Sequence, residues 1–413
     1  MFDKPIFNQL SPKLADITLV VLATIVYIGL CAEADMYVPA FPQMITFFGV
    51  EESRISLILS INFAGLSISG LVVGPLSDSY GRRRILLAGL ALFMISSLGC
   101  VATNNFNWML FWRLIQGIAA SIPMVVSGAA FFDKYPPEKA GQLLGVLNGI
   151  ISAAMAGAPI AGAWISEIFD WRANFIVILG LAVVSFFGSL LFLEETLPQS
   201  KRRILNLTGV LKDYLKLSKS MKFLTYSLIS CAPLSIIIVY IANLSVILVN
   251  HIGVDLVTCS YYQATTMGVF IVFSLFSARL IGTHGADYTK NLGGILAIIG
   301  SIMLFAISQL DPKNVNIIAL AMGFISAGGA LMIATFGLKA LSIFPEMTGT
   351  AMAMNTAIRQ LSAMGLVMIS EIIFDGTIIP IAMIVCGFVA FCGMCNVIVW
   401  WSERGHIDAL RNL

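Results

Sequence analysis

Twelve long apolar stretches follow one another along the 413-residue chain, and they restrict its fold more than any other feature. They lie at about residues 17–38, 54–74, 85–103, 107–131, 142–166, 173–193, 223–250, 258–281, 292–310, 315–343, 349–372 and 377–401. Because about 20 consecutive apolar residues cross a bilayer as a helix, each stretch can form one span. The sequence therefore predicts an all-α polytopic membrane protein with twelve transmembrane helices.

The composition supports a membrane environment and argues against several other classes of protein. Hydrophobic residues make up 58% of the chain and charged residues 11%, whereas soluble domains have about 45–50% and about 25%. The 24 Lys and Arg nearly balance the 22 Asp and Glu, for a net charge of +2. We therefore expect no nucleic-acid partner. The seven cysteines are an odd number and lie in or beside apolar stretches, so they predict no disulfide framework.

Motifs of enzymes and metal sites are missing from the sequence. It contains no H-E-x-x-H, no Walker loop, no G-x-S-x-G and no zinc-ligand spacing. We therefore expect no enzyme activity, no cofactor and no bound metal. A membrane sensor or an intramembrane enzyme would need a soluble domain or a catalytic dyad, and neither is visible.

A polar segment in the middle of the chain predicts its domain organisation. Residues 194–222 are rich in Lys and Arg and divide the apolar stretches six plus six. We expect an N-terminal six-helix bundle at 1–193, a cytoplasmic linker at 194–222 and a C-terminal six-helix bundle at 223–413. The amphipathic pattern around residues 205–217 predicts a helix along the membrane surface.

The distribution of basic residues predicts the orientation in the membrane. Most Lys and Arg fall on the face that holds both termini and the central linker, whereas the opposite face has only Arg54, Arg172 and Lys313. The positive-inside rule therefore places both termini in the cytoplasm. Arg113 and Arg359 lie inside apolar stretches, where charges are costly and usually functional.

The link between the second and third stretches carries the most specific motif, GPLSDSYGRRRILL. With it the chain resembles the major facilitator superfamily and, within that family, the bacterial multidrug-resistance transporters of the Bcr/CflA type. The resemblance extends over the whole chain and implies a conformational latch in this link. The residues at the matching positions are Gly74, Asp78, Gly81, Arg82 and Arg83. Glycine permits close backbone approach or a tight turn, and Asp78 can pair with basic groups. The alternative is a short loop whose arginines only set the orientation.

The fourth stretch contains FWRLIQGIAAS, which resembles the second motif of the family. Arg113 and Gln116 are three residues apart and therefore share one face of the helix. An arginine at this depth should face a cavity or a carboxylate. The resemblance implicates Arg113 in proton coupling, whereas the alternative is a purely structural arginine.

The fifth stretch contains GIISAAMAGAPIAGAWI, which is similar to the antiporter signature of the family. The matching positions are Gly149, Gly157, Pro159 and Gly162. Small residues let membrane helices approach closely, so we expect this stretch to pack against a neighbour in the other half, and a proline can bend the helix. The resemblance favours export over uptake, whereas ordinary small-residue packing is the alternative.

The first stretch ends in AEADMYVPAFP, which is very similar to the D-M-Y-x-P-A-x-P pattern of the Bcr/CflA group. We expect Asp35 to carry the coupled proton, because an apolar bundle disfavours a charged carboxylate. Glu33 is an unusual second acid and the other candidate. Two residues rotate a helix by about 200°, so both acids point at one spot only if the helix is distorted near Pro39. Alternatively, Asp35 lies at the outer interface.

Polar residues of both halves are candidates for the wall of a central substrate cavity. They are Asn62, Gln116, Tyr240, Asn243, Asn355 and Arg359, beside Asp35 and Arg113. Arg359 departs from the group, which usually has an uncharged residue there. It either selects an anionic or zwitterionic substrate or pairs with Glu33 or Asp35.

The resemblance implies a proton-coupled antiporter that exports small organic molecules such as drugs, amphipathic metabolites or siderophore-like compounds by alternating access. Its partners would be the substrate, protons and the lipid bilayer, and it would act as a monomer in the bacterial inner membrane. The alternative is a proton-coupled symporter that imports a small metabolite.

Overall fold

The computed structural model describes residues 12–202, 205–344 and 347–411, and their regular secondary structure is entirely helical. The helices are α1 (Pro12–Asp35), α2 (Phe41–Phe48), α3 (Leu57–Tyr80), α4 (Arg82–Ala102), α5 (Phe106–Lys134), α6 (Pro137–Ile168), α7 (Trp171–Phe192), α8 (Leu207–Ser218), α9 (Met221–Val246), α10 (Leu256–His284), α11 (Ala286–Leu310), α12 (Val315–Ser342), α13 (Thr348–Ile373) and α14 (Ile379–Arg411). Short 3₁₀ turns occur at Val38–Ala40, Glu52–Arg54 and Gln199–Lys201, and a π-helix at Ile247–Ile252 continues α9.

Eleven helical segments of the described chain are long and apolar enough to cross a membrane. A shorter apolar segment, Ile379–Cys395 of α14, follows them. Together they correspond to the twelve apolar stretches of the sequence. The predicted all-α polytopic class is therefore confirmed.

Side-chain caps start several of these helices. Asn105 accepts hydrogen bonds from the backbone N–H groups of Asn107 and Trp108 at the start of α5, at 2.9 and 3.3 Å. Asp170 does the same for the first turn of α7. Such caps satisfy N–H groups that have no partner within the helix. They set where α5 begins, and hence where its Arg113 lies.

The first apolar stretch is interrupted where its prolines begin. The α1 helix ends at Asp35, a 3₁₀ turn holds Pro39, and α2 then continues to Phe48. Proline has no N–H for the helical ladder and clashes with the preceding turn, so a break here has a direct cause. The chain therefore stays helical past both prolines, although not as one α-helix.

Two compact units divide the chain. Unit 1 comprises Met1–Val210 and Leu248–Ala264, and unit 2 comprises Leu211–Ile247 and Thr265–Leu413. In unit 1, α3 and α5 meet at Gly65 and Gly117, where a Cβ atom would collide with the backbone of the other helix. Glycine thus permits the close helix contact that is typical of membrane proteins.

Unit 2 is organised around α9, which is buried along most of its length. Its apolar core contains Phe223, Tyr226 and Ile229 of this helix, with Phe336 of α12. The α11 and α12 helices approach each other at Gly293 and Gly328, where added Cβ atoms would meet the opposite backbone. Small residues again set the distance between helices.

Candidate functional site

A buried ion pair joins α1 and α5 in unit 1. Nη1 of Arg113 lies 2.7 Å from Oε1 of Glu33. The exposed fractions of the two residues are 0% and 2%. Charges removed from water this completely need both a counter-charge and further hydrogen bonds.

Those further hydrogen bonds come from three neighbouring side chains. Asn62 of α3 donates to Oε1 of Glu33 at 2.7 Å and to the carbonyl of Arg113 at 3.2 Å. Arg113 donates to Oε1 of Gln116 at 2.6 Å and to the hydroxyl of Tyr37 at 2.6 Å. We call Glu33, Tyr37, Asn62, Arg113 and Gln116 the Arg113 cluster. It links three helices and the turn after α1 into one polar network.

A second set of contacts fixes the orientation of Gln116. Its amide nitrogen donates to the hydroxyl of Ser97 at 2.8 Å, and its amide oxygen accepts from the thiol of Cys100 at 3.6 Å. The guanidinium of Arg113 also lies over the ring of Tyr37, 4.5 Å from its centre. With α4 included through Ser97 and Cys100, four helices hold the arginine in place.

Asp35 has a different environment from Glu33. It is the last residue of α1 and is partly exposed, and it forms no hydrogen bond or ion pair within the described part of the chain. The rotation of about 200° between the two positions accounts for this difference. The structure therefore brings Glu33 to Arg113 and leaves Asp35 outside the ion pair.

The antiporter motif lies in α6, and one of its glycines contacts the turn after Asp35. A Cβ atom at Gly162 would collide with the backbone carbonyl of Met36. Gly149 and Gly157 have open space at the same position, and Pro159 lies inside the helix. Gly162 therefore provides a close approach within unit 1, and the expected packing of this stretch against the other half stays a prediction.

The predicted latch centres on Arg82, the first residue of α4. Its guanidinium pairs with Asp78 at 2.6 Å and with Asp133 of α5 at 2.8 Å, and it donates to the hydroxyl of Ser77. Its backbone N–H donates to Glu195 at 2.9 Å. The sequence analysis identified neither Asp133 nor Glu195, although both are acids directly after an apolar stretch.

The other residues of the latch motif make contacts away from Arg82. Arg83 is 1% exposed and donates to the carbonyls of Leu190 and Leu193, so it caps the C-terminal end of α7. Gly81 has φ +99, and an added Cβ atom would strike Glu195 and Arg202. The positive φ of Gly81 gives the tight turn of this motif, whereas Gly74 has open space and no close backbone approach among the described residues.

In unit 2, the predicted cavity residues connect α9 to α13. Asn355 accepts hydrogen bonds from Ser230 at 3.3 Å and from the thiol of Cys231 at 3.4 Å. Asn243 donates to the hydroxyl of Ser370 at 3.0 Å. Tyr240 is fully buried.

Arg359 of α13 is partly buried. Within the described residues of unit 2, no carboxylate lies within ion-pair distance of its guanidinium. Its backbone carbonyl accepts from Ser235 at 3.5 Å. The described part of unit 2 therefore provides Arg359 with no ion-pair partner.

A further polar contact in unit 1 was not identified from the sequence. Glu52, before α3, accepts from Asn250 and lies 2.7 Å from Nε2 of His251. Both partners belong to the π-helix that follows α9. The contact ties the inserted segment Leu248–Ala264 to the start of α3.

Comparisons with known proteins give one consistent result. A sequence model of the Major Facilitator Superfamily matches residues 23–367. The chain is 23% identical to a bicyclomycin resistance protein homolog of Haemophilus influenzae, over 79% of this chain and 81% of that one. It is 27% identical to the multidrug transporter MdfA of Edwardsiella ictaluri, over 75% of each chain. It is also 27% identical to a chloramphenicol resistance protein of Pseudomonas aeruginosa, over 77% of this chain and 75% of that one.

Solved structures show the same fold. A bacterial homolog of the human lysosomal transporter Spinster, inward-facing and unoccupied, is similar with a TM-score of 0.74 over 97% of this chain and 99% of that one. The inward-open xylose transporter XylE of E. coli has a TM-score of 0.67 over 91% and 95%. Both are 14% identical to this chain, so the likeness concerns the fold alone.

Proposed function

Because the chain belongs to the major facilitator superfamily, and is thus a multi-pass membrane transporter for a small-molecule substrate, we propose that it exports small organic molecules in exchange for protons. The relatives whose names state resistance to bicyclomycin or chloramphenicol support drug-like cargo. Alternating access would let the two halves of the chain expose the substrate to one side of the membrane at a time.

The observation that carries the proton-coupling proposal is the contrast between Glu33 and Asp35. Glu33 is bound to Arg113, so its protonation would leave a buried guanidinium without its counter-charge. Asp35 has no such partner among the described residues, so proton uptake there breaks no ion pair. We therefore assign proton transfer to Asp35 and a positioning role to Glu33 and Arg113.

The break after α1 supports the same assignment. Asp35 is the last α-helical residue before the turn that carries Tyr37, and the hydroxyl of Tyr37 is bound to Arg113. Met36, next to Asp35, touches α6 at Gly162. A change of charge at Asp35 would therefore act on a segment held by α5 on one side and by α6 on the other.

The substrate class follows from the charge of Arg359. A guanidinium in a membrane-spanning helix costs at least about 2.5–3.5 kcal/mol unless it finds a counter-charge or a polar cavity. Because no carboxylate among the described residues of unit 2 lies within ion-pair distance of its guanidinium, we propose that a substrate with an acidic group supplies one during transport. Arg359→Gln should then weaken binding of acidic substrates much more than binding of neutral ones.

Orientation and assembly complete the proposal. The excess of Lys and Arg on one face of the membrane supports a protein of the bacterial inner membrane with both termini in the cytoplasm. We place the two six-helix bundles at 1–193 and 223–413, joined by the linker 194–222. We further propose that the transporter works as a monomer.

The experiment that tests this function uses purified protein in proteoliposomes with an imposed pH gradient. Chloramphenicol, bicyclomycin and a small panel of acidic and neutral drugs serve as substrates. Export predicts that a drug accumulates inside inside-out vesicles when their lumen is acid, and that the accumulation collapses with a protonophore. Accumulation of the drug in the same direction as the proton flux would instead establish a symporter. A transport rate that does not depend on the pH gradient would contradict proton coupling.

A further inference from the structure

The helix in the central linker, α8, has an exposed apolar ridge. Leu211 and Leu215 are 60% and 51% exposed. They are four residues apart and therefore lie one above the other on the same face. Met221, six residues after Leu215, is 74% exposed and is the first residue of the span Met221–Ile252. The ridge thus borders the end of a membrane-spanning helix.

Another face of α8 holds the helix on unit 2. Leu217 is fully buried in the core that contains Phe223 and Tyr226, and Tyr214 packs against the same core. These two side chains are about 60° apart around the helix axis, on a different side from the ridge. The helix is therefore docked by one face, so the exposure of Leu211 and Leu215 belongs to a fixed surface.

Lysines form a stripe next to the ridge. The segment 211–222 contains Lys212, Lys216, Lys219 and Lys222 against a single acid, Asp213. Lys212 and Lys216 follow Leu211 and Leu215 by one position, about 100° around the helix. Lys212, Lys219 and Lys222 are exposed and form no ion pair in the ranges that the structure describes. Lys216 lies over the ring of Phe344, 5.4 Å from its centre.

From this arrangement we infer that α8 is a docking surface for anionic phospholipid headgroups. Leu211 and Leu215 enter the boundary between headgroups and acyl chains, while the lysines contact the phosphates above it. An apolar ridge beside a basic stripe is the pattern of helices that lie in the interface. Clusters of four or more basic residues next to a membrane span favour anionic lipids over neutral ones.

The position of the helix favours a lipid over a soluble acidic partner. Leu215 lies six residues before the first residue of a membrane span, so the bilayer surface is the apolar phase next to this end of α8. The proposal concerns lipid binding and does not depend on the substrate or on the direction of transport.

The test measures lipid binding by native mass spectrometry of the full chain in detergent. The protein is equilibrated with equal amounts of phosphatidylglycerol and phosphatidylcholine that carry identical acyl chains. The test variant is K212Q/K219Q/K222Q. A matched variant, K212R/K219R/K222R, keeps the charge, and K134Q/K139Q/K313Q removes three lysines elsewhere. Melting curves verify that each variant is folded.

We expect the wild type to retain phosphatidylglycerol selectively. Because one basic residue near an anionic surface contributes about fivefold to affinity, the triple Gln variant should lose at least tenfold in affinity for phosphatidylglycerol. The triple Arg variant and K134Q/K139Q/K313Q should stay within about threefold of the wild type. L211S/L215S should weaken binding of both lipids, because it removes the apolar contact that they share.

Two results would overturn the proposal. One is a triple Gln variant that keeps its selectivity for phosphatidylglycerol, or a control triple that loses as much. The other is unchanged binding of both lipids by L211S/L215S, which would show that the lipids do not bind at the ridge.

Discussion

The carboxylate of Glu33 and the guanidinium of Arg113 are 2.7 Å apart in a part of unit 1 that is almost closed to solvent. The two residues lie 80 positions apart in the sequence and on different helices. This pairing engages Glu33 and leaves Asp35 outside the ion pair, and it is the reason why the proposed proton transfer is assigned to Asp35.

This ion pair should be important for stability. Glu33→Gln leaves Arg113 charged and buried without its partner, and breaking a buried pair in this way costs about 3–5 kcal/mol. Asp35→Asn breaks no ion pair and should have a much smaller effect. Thermal unfolding of the two purified variants in the same detergent provides the comparison. Equal losses of stability in the two variants would show that the ion pair between Glu33 and Arg113 does not stabilise the fold in the expected way.

A second prediction compares two glycines of α6. Gly162→Ala places a methyl group against the carbonyl of Met36, and such overpacking costs about 1–3 kcal/mol. Gly157→Ala enters open space, and alanine is the better helix former by about 1 kcal/mol. The first variant should therefore lower the melting temperature and the second should leave it unchanged or raise it. A reversed order would contradict the contact between α6 and the turn after Asp35.

Arg82 should not tolerate replacement by lysine. Its Nε contacts Asp133 while its Nη1 contacts Asp78, and a single ammonium group cannot reproduce both contacts.

The two aspartates that pair with Arg82 differ in exposure. The side chain of Asp78 is 37% exposed and that of Asp133 is 18% exposed. Asp133→Asn should therefore impair transport more than Asp78→Asn, because water screens the more exposed pair. Arg82→Lys should resemble Asp133→Asn, and initial rates of transport in vesicles are the measurement. Wild-type rates in Arg82→Lys would remove the latch role.

The start of α10 should depend on pH through Asp255, which lies outside the spans. The backbone N–H of Thr258 donates to its carboxylate at 2.8 Å, and hydrogen bonds from Thr258 lower the pKa of Asp255. Because the pKa is lower in the folded state, the stabilisation is present above the unfolded pKa and is lost as the pH falls through the folded one. Hydrogen exchange in the first turn of α10 should accelerate, relative to its intrinsic rate, as the pH falls below about 4, the ordinary pKa of an aspartate. Asp255→Asn should abolish that extra acceleration, and an unchanged profile would contradict the cap.

Much of the fold could be predicted because each membrane span is formed by one run of consecutive apolar residues. Each apolar stretch is long enough to cross a bilayer, and each became a helix of the described chain. The break near Pro39 and the helix in the linker were also predictable, since proline geometry and amphipathic spacing act over a few residues. The packing of Leu217 against the core of unit 2 could not be predicted, because that core includes residues far along the chain, such as Phe336.

The candidate site was predictable only in part. An arginine in the middle of a span indicates a buried partner, so Arg113 could be singled out. Which acid it meets could not be decided, because Glu33 and Asp35 differ only in the face they present, and helix packing selects the face. Asp133 and Glu195 reach Arg82 from 51 and 113 residues away. No local pattern indicates such contacts, and the same is true of Glu52 and His251.

Two activities of Asp35→Asn, measured in the same vesicles, show whether Asp35 carries the coupled proton. One is accumulation of a drug driven by a pH gradient, and the other is exchange of labelled for unlabelled drug at equal pH. Asp35→Asn should lose the first activity and keep the second, because binding and exchange need no net proton movement. Gradient-driven accumulation at the wild-type level by Asp35→Asn would rule out Asp35 and would make Glu33 the proton carrier.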